Sequence, residues 1–275
     1  MTRTAIRAVI LFFVITLTLG AMGAGVFFAW GWPERGAPVP PTMTLIPAGM
    51  FISGCDHEKD PQCTADDPPL TTGYLPAFFL DRVEVTVADF ARCVAAGECE
   101  PPPDGQGCNY GISGRENHPV NCVNQLQGRE YCAFVGKRLP TATLWEKAAR
   151  GVDGRIYPWG NEFNPRFGNF GDEGRADGFT HTAPVGSFPE GRGSYGNLDL
   201  AGNVAEWTTT RRTTYYDPAR PAVTGPQYKG ISVVLKGGSF MVERPALLRM
   251  VGSPKSRPVR FTTVLGFRCF QATWR

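Results

Sequence analysis

Apolar and polar positions alternate irregularly along this chain, and few stretches hold a period long enough to name an element. Leu45-Ile46-Pro47-Ala48-Gly49-Met50-Phe51-Ile52 reads as one short strand, and Phe78 to Val85, with partly alternating apolar residues, as another. Thr86 followed three residues later by Asp89 marks a helix start, and that helix runs to about Ala96, where Gly97 stops it. A second helix begins near Asn124, carries Tyr131 and Cys132, and ends at Gly136. A third takes Thr141 as its N-cap, sets Leu144, Trp145 and Ala148 at helical spacing, and stops at Gly151. From Tyr157 onward the pattern dissolves into Gly, Asn, Asp and aromatic residues. An irregular stretch that long inside a compact domain needs a metal or a function to hold it. Short strands return at Val233 to Lys236 and at Leu265 to Phe270.

The N-terminus follows a different pattern. Arg3 and Arg7 precede an uncharged run from Ala8 to Pro33. About 20 apolar residues suffice to cross a bilayer as a helix, and the basic flank stays in the cytoplasm. Residues 1–33 therefore read as a signal anchor, 34–42 as a Pro/Gly-rich tether, and 43–275 as one domain. The alternative is a cleaved signal peptide with Ala8 to Leu19 as its apolar core and a cut near Ala21, Gly23 and Ala24. The apolar run continues past such a cut through Val26, Phe27, Phe28 and Trp30, and Trp30 and Trp32 sit where interfacial aromatics belong, which favours the anchor. Either way the domain is expected outside the cytoplasm, periplasmic or extracellular, bound to the membrane through its N-terminal segment or secreted.

Cysteine usage agrees with export. The eight cysteines form an even set with no C-x-x-C pair, which points to disulfides rather than a zinc site. Cys55 and Cys63 are close enough to pair across a short loop. With 28 Lys and Arg against 25 Asp and Glu, and no dense basic stripe, the chain lacks the electrostatic footprint of a nucleic-acid binder. The 33 Gly and 24 Pro favour a loop-rich domain over a helical bundle.

Seven segments are distinctive when read in order. They are Ile46-Pro47-Ala48-Gly49; His118-Pro119-Val120; Gly136-Lys137-Arg138-Leu139-Pro140-Thr141 with Trp145-Glu146 and Ala149-Arg150-Gly151; Tyr157-Pro158-Trp159-Gly160-Asn161; Gly202-Asn203-Val204 with Glu206-Trp207; Lys236-Gly237-Gly238-Ser239-Phe240; and Gly266-Phe267-Arg268-Cys269. From about Met43 to Phe270 the chain thus resembles the formylglycine-generating-enzyme (sulfatase-modifying-factor) family. The resemblance implies an α+β fold: a single irregular, loop-rich domain related to C-type lectins. It also implies two structural calcium ions as cofactors. The first would match Asn169, the carbonyl of Phe170, Asp177 and the carbonyl of Phe179; the second would match Asp199, Glu206 and the carbonyls of Gly202 and Val204. Hard oxygen ligands from loops are what calcium takes. A disulfide between Cys132 and Cys269 follows from the same resemblance, leaving Cys93, Cys99, Cys108 and Cys122 to form two bridges of unassigned connectivity.

The catalytic part of the resemblance fails. The copper-holding cysteines of the oxidases follow the Gly-Gly-Ser segment, and here those positions are Val242 and Leu247, neither able to bind a metal. A further family disulfide is missing at both ends, at Ala149 and Gly252, and Ala205 replaces the first Trp of a Trp-Glu-Trp segment. Of the three histidines, His118 reads as structural and His57 as exposed, and His181 joins neither in a paired-histidine helix. The expectation is therefore a calcium-binding domain without copper, acting as a non-catalytic recognition or scaffold module for an exported protein, peptide or glycan. The alternative is an oxidoreductase or other modifying enzyme acting on secreted peptides or metabolites in the same groove. Ser239, Glu243 and Arg249 are the candidate groove residues.

Overall fold

The computed structural model describes residues 42–64, 67–171, 177–213, 231–252, 254–256 and 258–273. All of them fall in one contact unit, Pro40–Arg275. The anchor expected at residues 1–33, and the tether up to residue 41, lie outside the described residues. Among the described residues no helix is long and apolar enough to cross a membrane.

Among the described residues nine short strands form three small sheets. β1 (Met43–Ile46), β4 (Phe78–Asp81) and β9 (Phe270–Ala272) make an antiparallel sheet with β4 in the centre. β2 (Gly49–Ser53) pairs with β3 (Thr71–Leu75). The third sheet orders β7 (Lys255–Ser256), β6 (Ile231–Lys236), β5 (Ala205–Thr213) and β8 (Leu265–Gly266), with β8 parallel to β5. Among the described residues three α-helices complete the set: α1 (Val87–Ala95), α2 (Gln125–Phe134) and α3 (Ala142–Arg150).

The helix starts are those the sequence marks. Thr86 Oγ1 accepts from the Asp89 amide at 3.1 Å and Thr141 Oγ1 from the Leu144 amide at 3.2 Å. Asn124 and Gln127 exchange side-chain-to-backbone bonds in a full capping box. The strands depart further from expectation. The strand expected over Leu45–Ile52 is two strands in different sheets, because Pro47 has no N–H to give a ladder and Gly49 takes a φ of 146°. The strand expected to reach Val85 stops at Asp81; beyond it Arg82 N donates to Thr42 O and Val85 N to Phe267 O. Leu265–Phe270 also divides, its ends joining separate sheets while Phe267, Arg268 and Cys269 turn fully inward. β5 was not expected at all, since its start coincides with the Gly202-Asn203-Val204 loop and its polar run Thr208-Thr209-Thr210-Arg211-Arg212-Thr213 shows no apolar alternation.

Three apolar clusters hold these pieces. In the first, Phe90 stacks on Tyr131 at 5.7 Å between centroids, Tyr131 meets Phe267 edge-on at 5.6 Å, and Trp207 is fully buried with its indole N–H on Val123 O. The second gathers Trp145, Tyr157, Leu200, Leu248 and Met250, and the third Ile46, Phe78 and Leu80. All eight cysteines are paired, as Cys55–Cys63, Cys93–Cys99, Cys108–Cys122 and Cys132–Cys269. The connectivity left open by the sequence thus resolves into nearest neighbours. In the chain-entropy model the Cys132–Cys269 bridge, 137 residues apart, stabilises by about 5 kcal/mol, against about 2.5 kcal/mol for the 8-residue separation of Cys55–Cys63.

His118 is structural, with Nδ1 3.1 Å from both Thr182 Oγ1 and Arg115 Nη1. Burial first, and then the charge of Arg115, hold its pKa below the ordinary histidine value. The unfolded chain therefore takes up this proton at a higher pH than the folded one, so stability is lost as pH falls below about 6.5. Urea unfolding midpoints measured from pH 7.5 to 5.5 are expected to fall less steeply in His118→Gln than in the unaltered chain; parallel curves would refute the assignment.

Candidate functional site

Left-handed backbone at Asp199 (φ 55°), Gly202 (φ 89°) and Asn203 (φ 56°) coils the loop that leads into β5. Short polar side chains and glycine are the residues that tolerate this region. At Gly202 a Cβ would stand 2.2 Å from the carbonyl oxygen of Asn169, so only glycine permits the close approach of the two expected calcium loops. The Asn203 amide donates to that same carbonyl at 2.9 Å.

In the first loop, Asp177 accepts from the amides of Phe170 (2.9 Å) and Phe179 (2.7 Å), which draws three of the four expected residues together, with Asn169 next to Phe170 in the chain. Asn169 donates through Nδ2 to His181 O, while its buried Oδ1 has no hydrogen-bond partner. A buried amide oxygen left without a partner is a hard oxygen donor of the type that suits a cation such as calcium.

The second loop is more crowded than the sequence implies. Glu206, fully buried at the start of β5, receives Arg268 Nη2 at 2.7 Å, Arg268 Nε at 2.8 Å and the Trp145 indole N–H at 2.7 Å. Arg268 also donates to the carbonyls of Asp81, Arg82, Leu198 and Asp199. Asp199 Oδ2 accepts from the Gly186 amide at 2.6 Å. Sequence reasoning missed a third carboxyl group here, Glu84, which is buried, accepts no N–H, and meets the carboxyl of Asp199. The signal was an acidic residue inside the apolar run that begins at Phe78. Burial, and then the neighbouring charge of Asp199, push the Glu84 carboxyl well above the usual carboxylate range; burial likewise raises Asp199. Three carboxyl groups thus face the Arg268 guanidinium.

The groove lies beyond the far end of β6. Lys236, buried at its last position, donates to Glu146 Oε2 at 3.0 Å and to the Met250 carbonyl at 2.9 Å. Glu146 in turn binds Arg150 at 2.9 Å. Against the burial that would raise it, Lys236 and Arg150 hold the Glu146 carboxyl below its ordinary value. This ionic knot fixes the exit of Gly237-Gly238-Ser239 from the sheet. A cavity of about 720 Å³ opens there, with Ala205, Leu235, Val242, Leu247, Val264 and Leu265 among its lining.

Of the three candidate groove residues, Ser239 and Arg249 line this cavity and Glu243, exposed on the adjoining turn, does not. Ser239 Oγ accepts a long 3.4 Å bond from the Met241 amide. Arg249 is held in place by two carboxylates, Nη1 pairing with Asp60 at 2.6 Å and Nη2 with Asp67 at 2.7 Å, and its Nη1 also stands 3.2 Å from Cys55 Sγ. Val242 and Leu247 stand on the wall, with every cysteine sulfur committed to a disulfide and no histidine among the lining residues. The residues present do not suit copper.

Residues 33–273 match the family described as the sulfatase-modifying factor enzyme 1-like domain. The chain belongs to this family. The formylglycine-generating enzyme of Bos taurus is 30% identical over 288 residues, covering 85% of this chain and 76% of that one. The inactive C-alpha-formylglycine-generating enzyme 2 of Mus musculus is 37% identical over 290 residues, covering 88% and 89%. Among solved structures, PvdO from Pseudomonas aeruginosa superposes with a TM-score of 0.69 at 22% identity, covering 88% of this chain and 99% of that one, which shows a shared fold. The family's irregular α+β architecture is therefore present here, with four disulfides suited to an oxidising compartment outside the cytoplasm.

Proposed function

We propose that this sulfatase-modifying-factor domain is an extracytoplasmic, calcium-holding recognition module that seats the apolar side chains of an exported protein or peptide in its groove and performs no copper-dependent oxidation. The observation that carries the reading is the groove wall, where Val242 and Leu247 replace metal-binding side chains in an otherwise largely apolar cavity. Its mean character is that of a pocket that binds by burying apolar surface with few polar contacts. Family likeness to a protein named as inactive, 37% identical, supports the same reading. Asn169, Asp177 and the carbonyls of Phe170 and Phe179 would hold one calcium ion. Asp199 and the carbonyls of Gly202 and Val204 would hold the second, with Glu84 adding oxygens and Glu206 oriented from behind by Arg268. Bound calcium would supply positive charge that the buried carboxylates lack, cross-linking loops that have few ladder bonds of their own. An anchored N-terminus would keep the module at the membrane surface.

Elemental analysis of the full chain, purified without chelator, tests this. The expected result is calcium at about two per chain and only trace copper or iron. Stoichiometric copper or iron that survives dialysis would overturn it.

A further inference from the structure

The groove carries a sulfur pair of its own. Cys55 and Cys63 are joined at its edge, and Gln62 and Thr64, on either side of Cys63, both line the cavity. The two sulfurs differ in their surroundings. Cys63 is half-buried, whereas Cys55 is buried and has Arg249 Nη1 3.2 Å from its Sγ. Asp60 Oδ2 lies 3.6 Å from the same sulfur, and the two sulfurs and this carboxylate lie within 4.8 Å of one another. Elsewhere Cys93, Cys99, Cys132 and Cys269 sit in the first apolar cluster, where a departing thiolate has nothing to stabilise it. Cys108–Cys122 shares the pattern of one half-buried and one buried sulfur, but among the described residues no arginine is hydrogen-bonded to either.

We infer that Cys55–Cys63 is a thiol-exchange site, with Cys63 as the sulfur attacked and Cys55 as the sulfur released, and that it takes the cysteine thiolate of a peptide lying in the groove. The incoming thiolate forms a new S–S bond to Cys63 Sγ as the bond to Cys55 breaks. The electron pair of the broken bond passes to Cys55 Sγ, whose charge is met by the Arg249 guanidinium. On taking a proton from solvent, the Cys55 thiol has Asp60 Oδ2 as its hydrogen-bond acceptor. A second thiol on the same peptide, attacking the sulfur bonded to Cys63, leaves as an oxidised dithiol and returns Cys55 and Cys63 reduced. Two electrons thus move from peptide dithiol to the Cys55–Cys63 disulfide, and no other oxidant takes part. Because a leaving thiolate departs faster when its charge is stabilised, the arginine sets both rate and direction.

The exchange stands apart from the recognition reading, because a small thiol reaches Cys63 whether or not the groove binds a partner. The test incubates the full oxidised chain with excess glutathione, alkylates new thiols after graded times, and locates them by peptide mass spectrometry. Cys55–Cys63 is expected to open at least about tenfold faster than Cys108–Cys122, with glutathione on Cys63 and the alkylating agent on Cys55. Equal rates for these two bridges, or glutathione chiefly on Cys55, would overturn the inference. Arg249→Gln is expected to slow the opening about tenfold, while Asp67→Asn, which leaves the contact of Arg249 with Cys55, is not. If Arg249→Gln fails to fold, the position of the adduct in the unaltered chain decides. A short uncharged cysteine peptide with flanking leucines, compared at equal thiolate concentration, identifies the source: faster reaction than glutathione marks a peptide, and no advantage overturns that part.

Discussion

Arg268→Ala is expected to lower the unfolding free energy by about 3–5 kcal/mol, the usual consequence of removing one partner from a buried ion pair. Arg268 and Glu206 are both fully buried, and the guanidinium is the charge that faces Glu206, Asp199 and Glu84 together. Its loss would leave the buried Glu206 carboxylate without its charge partner, and four carbonyls, those of Asp81, Arg82, Leu198 and Asp199, without their donor. Arg268→Lys should recover little of the loss, because an ammonium cannot reproduce the forked contact with Glu206. Arg92→Ala provides the contrast. Its pair with Asp89 is at the surface, with the Arg92 side chain 69% exposed, so the change should be worth less than about 1 kcal/mol. Urea unfolding of the disulfide-intact proteins measures all three, and a cost for Arg268→Ala no larger than that for Arg92→Ala would show that the cluster does not bear on stability.

The second large effect is that of chelation. With free calcium at about one hundred times its dissociation constant, binding to the folded state alone adds about 2.7 kcal/mol per site. Removing calcium with EGTA should therefore shift the unfolding midpoint sharply downward, and refilling with calcium should restore it where magnesium does not. Glu84→Gln should lose most of the part of this response that belongs to the second loop, and Asn169→Ala the part that belongs to the first. Unfolding curves that coincide with and without chelator, in a chain shown by elemental analysis to have been stripped of calcium, would refute both assignments.

The helices were legible because their signals are local. Thr86, Asn124 and Thr141 satisfy backbone amides only a few residues away, and each amide bond is present in the fold. The short strands were poorly legible for the opposite reason. Whether Leu45 and Met50 belong to one strand or two depends on partners at Phe79 and Tyr74, and periodicity within the segment cannot supply them. Residues that the motifs singled out do come together in the fold, Asn169 with Asn203 and Val242 with Leu247 on one cavity wall. Electrostatic roles were harder to read. Arg249 stood near Glu243 in the sequence, but in the fold it is bound by Asp60 and Asp67, 189 and 182 positions away. Glu84 escaped notice because the groups that make it unusual, Asp199 and Arg268, come together only after three separate segments have packed.

The pattern of bridges also bears on how such a chain matures. Cys55–Cys63, Cys93–Cys99 and Cys108–Cys122 close loops of 8, 6 and 14 residues, so each pair becomes complete soon after its first member enters an oxidising space. Cys132 must wait for Cys269, and both end in the apolar core. In a polypeptide delivered N-terminus first, Cys132 remains a lone thiol until nearly all of the domain has arrived. The last bridge therefore serves as a record of completion, and a chain that stalls before Cys269 leaves one reactive sulfur by which quality control can hold it.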